Sequence, residues 1–332
     1  MRLRGGPLLA ALVAGLVAAT APVGPAAAQQ YPARRVQIVV PFVPGGGSDL
    51  IARATAKYLE KKWGQPLIVV NMPGGGGVLG ARSVLKDARP DGYTVLVDIT
   101  TTSALPIAAW KSPPFTLADR KWAGRIVLDP LVFAVKADAP WKNLKELSAW
   151  VKANPEQLVW SGGAGPSALA RFTAYEWFAE IGVDPAKTRM VLTEGGGDSM
   201  IKLAGGHVAL AIHSVAEAKA MVEGGKVRLL AVLAPRRVSY IAGIPTAEEQ
   251  GLMKGIGSSW WAGISFPAAT PDAIVRKWES TLAEMVKDPA FRAATDRLWM
   301  NLDYFNATEM TAFVAKETAH YTDLAGKIGI RK

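Results

Sequence analysis

The chain has 332 residues, with 38 Lys and Arg against 28 Asp and Glu, a formal charge of +10, and no cysteine. The lack of cysteine excludes disulfides, thiol chemistry and Cys-based metal sites, and three histidines without an H-x-x-x-H spacing argue against a histidine metal centre. The basic residues are scattered rather than gathered into a stripe with aromatics, so nucleic-acid binding is not expected, whereas a general bias towards anionic ligands is.

Residues 1–28 stand apart: Arg2 and Arg4 precede an apolar run over 7–19, followed by Pro22, Pro25 and Ala26-Ala27-Ala28. That is the basic, apolar, small-residue order of a secretory signal peptide. The apolar run is shorter than the roughly 18–20 residues that span a bilayer. Cleavage is expected after Ala28, which makes Gln29 the first residue of an exported, periplasmic chain. Its removal takes Arg2 and Arg4 and no acid, so the charge of +10 becomes +8. No cysteine follows the small residues, so a lipid anchor is not expected. A length of about 300 residues usually divides into two domains.

In chain order, residues 36–42 read as a strand, 50–63 as a helix stopped by Gly64, and 67–70 as a buried strand. A short helix over 78–87 and a strand over 94–97 follow. Strands that are almost continuously apolar, alternating with helices, imply a parallel sheet covered on both faces. The pattern then restarts, with strands at 125–127, 131–135, 158–160, 189–192, 208–212 and 227–232 and helices at 144–153, 169–181, 199–203 and 216–222. A strand over 261–266 and two long helices, 271–287 and 307–327, close the chain. The fold class is α/β in two lobes, each a mainly parallel sheet flanked by helices, with the ligand cleft between them. One domain is discontinuous, 29–127 and 256–332, and encloses a second, 128–255; the crossings are expected near 125–130 and 245–258.

Glycine-rich loops at strand ends carry most of the chemical signal. Pro41-Phe42-Val43-Pro44-Gly45-Gly46-Gly47-Ser48-Asp49 joins the first strand to the first helix. Glycines let the backbone approach a ligand closely, and the helix start offers unpaired N–H groups and the positive end of the dipole, which suits an anion. No Gly-Lys-Ser/Thr follows, so this is not a P-loop. Ser161-Gly162-Gly163-Ala164-Gly165-Pro166-Ser167, Glu194-Gly195-Gly196-Gly197-Asp198-Ser199 and His213-Ser214 follow strands of the second unit, and Thr100-Thr101-Thr102-Ser103 follows the third strand. Ligands of open α/β sheets sit at the carboxyl ends of strands, so these loops converge on an interdomain cleft.

A second cluster, Gly75-x-Gly77-x-x-Gly80 with Asp98 downstream, formally matches a dinucleotide fingerprint. Pro73 interrupts its strand–turn junction, and it is not the first βα turn, so a nucleotide is not expected. Among the 11 tryptophans, Trp260-Trp261 open the returning strand and are expected to close the hinge or the back wall of the cleft.

Catalytic residues are not expected. No G-x-S-x-G is present. His213 and Ser214 are neighbours on a strand end and should diverge, and Glu217, opening a helix, reads as a favourable dipole partner. A hydrolase or isomerase using Glu194 or His213 is the enzymatic alternative.

The motifs resemble those of the solute-binding proteins of tripartite tricarboxylate transporters, the Bug family, over essentially the whole chain after the signal. The resemblance rests on Tyr31-Pro32 with Val36–Asp49, on Val69-Val70-Asn71-Met72-Pro73 with Gly74–Gly77, and on Pro90-Asp91-Gly92-Tyr93-Thr94-Val95-Leu96. It rests further on Gly205-Gly206-His207-Val208, on Gly225 to Val232, and on Ile244-Pro245-Thr246-Ala247-Glu248-Glu249-Gln250-Gly251. It implies a periplasmic binding protein-like fold that closes around a small carboxylate solute, as a monomer without cofactor or metal, and that delivers it to the membrane components of such a transporter. It also implies ligand-binding roles for Gly46, Gly47, Ser48 and Asp49 on one wall and for Gly165, Ser167, Gly196, Gly197, Asp198 and Ser214 on the other, with Thr101 and Thr102 adding hydroxyls. Thr100-Thr101-Thr102, His213-Ser214 and Glu217 depart from the commonest pattern, which leaves the particular carboxylate open. A periplasmic sensor that signals the presence of its ligand is the alternative within the same fold.

Overall fold

The computed structural model describes residues 31–163, 168–255 and 258–330. The expected signal peptide, its cleavage point, and the loop positions Gly165 and Ser167 lie outside them. None of the described helices is long and apolar enough to cross a membrane.

The strands are β1 (Val36–Val40), β2 (Leu67–Asn71), β3 (Thr94–Ile99), β4 (Arg120–Lys136), β5 (Val159–Ser161), β6 (Arg189–Val191), β7 (Leu210–Ser214), β8 (Val227–Val232), β9 (Ser259–Pro267) and β10 (Leu302–Phe305). The helices are α1 (Gly47–Trp63), α2 (Val78–Leu85), α3 (Ala104–Ala109), α4 (Leu144–Ala153), α5 (Leu169–Ile181), α6 (Gly196–Ala204), α7 (Val215–Glu223), α8 (Asp272–Met285), α9 (Pro289–Arg297) and α10 (Ala307–Lys327).

In the first lobe β1 pairs in parallel with β2 and β3, from Val36↔Leu67 and Gln37↔Thr94. β9 runs antiparallel to β3, and β4 antiparallel to β9, with β10 on the far edge of β4. In the second lobe β5 pairs in parallel with β6 and β7, and β4 lies antiparallel between β7 and β8. The parallel runs read from the sequence are therefore present, and β4 and β9 extend them with antiparallel pairs. This is a two-lobed periplasmic binding protein-like α/β fold.

One departure positions the whole molecule. The two strands expected at 125–127 and 131–135 are a single 17-residue strand, β4. Arg120 to Pro130 pair with β9, and Leu131 to Lys136 pair with β7 and β8. Asp129-Pro130 looks like a chain break because proline donates no ladder hydrogen bond. Here that missing donor falls at the exchange of partners. Asp129 is fully buried and accepts from the Asn301 amide at 2.7 Å, while the Leu128 amide donates to the Asn301 carbonyl at 3.1 Å. The neighbouring segment thus takes the polar groups that a turn would have exposed.

The C-terminal region also holds more than two helices. Asp288 caps α9 by accepting from the Phe291 amide at 2.8 Å, with Pro289 at its first position, and β10 adds an edge strand. Asp-Pro before a helical run is a start signal, but a nine-residue helix and a four-residue strand leave little periodicity to read.

The largest apolar cluster runs through both lobes, with Trp122 edge-on to Trp261 at 5.7 Å and Phe133 edge-on to Trp177 at 5.2 Å. Beneath the cleft, Arg120 and Asp98 form an ion pair with no solvent exposure. Asp98 also accepts from Thr102 Oγ1 at 2.7 Å and Ser265 Oγ at 2.8 Å, so β3, β4 and β9 share one polar knot.

Candidate functional site

A cavity lies where the carboxyl ends of β1, β3 and β7 meet the starts of three helices. Its apolar wall includes Phe42, Ile99, Leu131, Ile212 and Trp260; Thr101, Gly163 and Ala168 also line it.

The first wall comes from the loop before α1. Gly45 has φ +86°, in the left-handed region that suits glycine, and Gly46 precedes the helix. Asp49 fixes this turn. Its carboxylate accepts from the Gly45 amide at 2.9 Å, from Arg53 Nε at 2.9 Å and from Asn71 Nδ2 at 3.0 Å. Asn71 Nδ2 also donates to the Phe42 carbonyl at 3.0 Å. Burial pushes the Asp49 carboxyl up, but the hydrogen bonds from Arg53, Gly45 and Asn71 outweigh it and hold the group below the usual carboxylate range.

The second wall is the start of α6. Gly195 has φ +130°, and Gly196 and Gly197 line the cavity. Beneath them Ser199 Oγ lies 2.6 Å from Ser161 Oγ and 2.8 Å from Thr193 Oγ1, a buried hydroxyl cluster that ties α6 to the ends of β5 and β6. The third wall is β7 running into α7 without a loop. Ser214 caps α7 and Glu217 occupies the third helical position, a capping box.

Of the residues singled out in the sequence, Gly46, Ser48, Thr101, Gly196, Gly197 and Ser214 line this cavity. Gly47, Asp49, Thr102 and Asp198 do not. Gly47 instead lies under the Trp260 indole, where an added Cβ would come 3.2 Å from the ring. Asp49 is held behind the loop, Thr102 turns to Asp98, and Asp198 accepts from the Glu194 amide at 3.1 Å and pairs with Lys202 at 2.5 Å. Small helix-start acids pair readily within their own turn, and spacing alone does not separate that from a ligand contact. Of the Trp260-Trp261 pair, Trp260 lines the cavity, whereas Trp261 is fully buried in the core against Trp122.

The dinucleotide-like glycines have a packing role. A Cβ on Gly77 would come 2.9 Å from Phe42 Cζ and 2.8 Å from Thr102 Cγ2, and one on Gly80 would lie 2.7 Å from the Met72 carbonyl oxygen. They let α2 press against the loop that forms the first wall.

Glu217 stands in the first turn of α7, the helix-opening place expected for it, and has further partners that its spacing did not suggest. Its side chain is only 10% exposed, and its carboxylate points into the meeting point of the three helix starts. It accepts from the Gly47 amide at 3.4 Å, from the Ser214 amide at 3.3 Å and from Ser214 Oγ at 3.2 Å. His213 Nδ1 stands 3.4 Å from Oε2. A Cβ on Gly196 would come within 2.1–2.3 Å of the same carboxyl group. The capping box explains the Ser214 contacts but not Gly47 or Gly196, which belong to other elements. Burial pushes this carboxyl up, yet His213, the Gly47 amide and Ser214 hold it below its ordinary value, so it is ionised near neutral pH.

His213 and Ser214, expected to diverge, both line the cavity because the helix begins immediately after them. Both turn to Glu217 and form no hydrogen bond to each other among the described contacts. A nucleophile needs a base within hydrogen-bond reach, and this arrangement supplies a shared acceptor instead. His213 Nε2 is buried without a hydrogen-bond partner among the described residues. Glu194, the other catalytic candidate, is exposed at the cavity mouth.

A family model described as tripartite tricarboxylate transporter family receptor matches residues 51–330. The chain is 31% identical over 328 residues to the UPF0065 protein of the gbd 5' region of Cupriavidus necator, covering 96% of this chain and 97% of that one. It is 32% identical over 267 residues to BugT of Bordetella pertussis, covering 79% and 80%. Among solved structures, the periplasmic binding protein BugD matches with a TM-score of 0.84 at 27% identity, over 91% of this chain and 100% of that one. MatC from Rhodopseudomonas palustris, solved with bound malate, matches with a TM-score of 0.82 at 26% identity, over 89% and 99%. The chain belongs to the tripartite tricarboxylate transporter receptor family.

Proposed function

We propose that the protein is a periplasmic solute-binding protein that captures a small carboxylate-bearing solute by closure of its two lobes and delivers it to the membrane components of a tripartite tricarboxylate-type transporter. The observation that carries this reading is the cavity at which the starts of α1, α6 and α7 meet, lined by Gly46, Ser48, Gly196 and Gly197. Unpaired first-turn amides and helix dipoles make such a point favourable for an anion. Malate bound in MatC supports the same class of ligand.

The solute is held by Gly46, Ser48, Thr101, Gly196, Gly197 and Ser214, joined by Gly165 and Ser167, which fall outside the described residues. Gly47 gives its amide to Glu217, while Asp49, Thr102 and Asp198 hold the loops in shape. The lobes comprise residues 29–127 with 256–332, and 128–255. The change of partners along β4 at Pro130 and Leu131 supports that division. Residues 1–28 act as the export signal. Because the apolar wall includes Trp260, closure on a solute is expected to change tryptophan fluorescence. A panel of mono-, di- and tricarboxylates and aromatic acids tests this: at least one member should alter the fluorescence and raise the melting temperature in a saturable way. Silence in both readouts across the panel sinks the proposal.

A further inference from the structure

The anion cradle formed by the three helix starts already contains an anion, and that anion is part of the chain. Glu217 reaches from α7 of the second lobe to the Gly47 amide of α1 in the first, and it lies directly on Gly196 at the start of α6. Its hydrogen bonds of 3.2–3.4 Å are longer than the usual range for their donors. Among the described lining residues, His213 is the only group that can carry positive charge, and its Nδ1 already faces the Glu217 carboxylate.

This conflicts with the simplest version of the function proposed above, in which any carboxylate settles into the cradle. A carboxylate placed there would stand within a few ångströms of the Glu217 carboxylate in a cavity with largely apolar walls, where like charges repel. A second carboxylate on the solute would have no cationic partner besides His213 among the described residues. An ammonium or amide N–H, by contrast, would meet Glu217 as a charge-assisted hydrogen bond.

On this basis we infer that Glu217 is the specificity-determining residue, and that the site takes a solute with one carboxylate and a proton-donating or positively charged far end. The solute carboxylate uses the α6 amides that Glu217 does not reach, with the Ser48 and Thr101 hydroxyls. The donor end meets Glu217. The inference rests on the solute-binding reading and narrows its ligand class.

Length-matched pairs provide the test: β-alanine against succinate, and γ-aminobutyrate against glutarate, titrated calorimetrically into the wild-type protein and into Glu217→Gln. The glutamine keeps the shape and an acceptor but removes the charge. The wild type is expected to bind the amino member of a pair at least about tenfold more tightly than its dicarboxylate. In Glu217→Gln that ratio should fall about tenfold or invert, because a carboxylate is no longer repelled. Equal or tighter dicarboxylate binding by the wild type overturns the inference while leaving the solute-binding reading intact, and so does an unchanged ratio in a folded variant. The wild-type ratio stands alone if the variant misfolds. Failure of both the matched pairs and the wider carboxylate panel overturns the solute-binding reading and this inference together.

Discussion

At the residue scale the site depends on very small side chains set against one large charged one. Gly196 can only be glycine while Glu217 keeps its place, because a methyl group there would overlap the carboxyl. Gly196→Ala is expected to leave the fold intact by circular dichroism, since Gly196 does not have a positive φ, yet to weaken solute binding about tenfold or more as the methyl displaces the Glu217 carboxyl into the cavity. Binding unchanged in that variant would remove Gly196 from the site. Ser214 caps α7 and supplies two of the hydrogen bonds to Glu217. The Ser214 hydroxyl donates to Glu217, and loss of a hydrogen bond to a charged group costs about 1.5 kcal/mol or more, so Ser214→Ala should lower the urea-derived unfolding free energy by about that amount. Glycines of this kind were readable in the sequence. The direction of Glu217 was not: a glutamate at the third position of a helix satisfies a capping box whatever faces it, and only the opposite lobe reveals the second set of partners.

At the element scale, the parallel core and the helices around it follow from apolar runs and their spacing. Two features did not. Asp129-Pro130 looked like a break, but burial and the Asn301 backbone let β4 continue through it. α9 and β10 are too short for periodicity to announce them. The Asp98–Arg120 pair binds β3 to β4 below the cavity, and Arg120 Nε and Nη2 find no partner among the described residues. Removing one member of a buried pair leaves an uncompensated charge and costs about 3–5 kcal/mol. Arg120→Leu is therefore expected to destabilise the protein strongly in a chemical denaturation series, and the double change with Asp98→Asn should recover part of that loss. A small effect of Arg120→Leu alone would show that the pair is not what holds these strands.

For the whole molecule, the crossing between the lobes carries its own electrostatic signature. Burial pushes the Asp129 carboxyl up to about 8, whereas an unfolded aspartate titrates near 3.9, or about 4. The native state then binds more protons than the unfolded state between those values, so this group's contribution to stability is present below about pH 4 and is lost as pH rises towards 8. Asp129→Asn keeps an oxygen for the Asn301 amide without the titration. The melting temperature of the wild type should fall more steeply between pH 5 and pH 8 than that of the variant; parallel curves would place the charge elsewhere. The placement of the lobes themselves, with their partner exchange on β4, brings α1 to face α6 and α7, and that encounter makes one cradle of two glycine loops and the start of α7.

The central claim is that this cradle holds a small carboxylate-bearing solute. Isothermal titration calorimetry of the wild-type protein with the carboxylate panel tests it most directly. Saturable one-to-one binding of at least one member is expected. No heat of binding from any member up to millimolar concentration would contradict it.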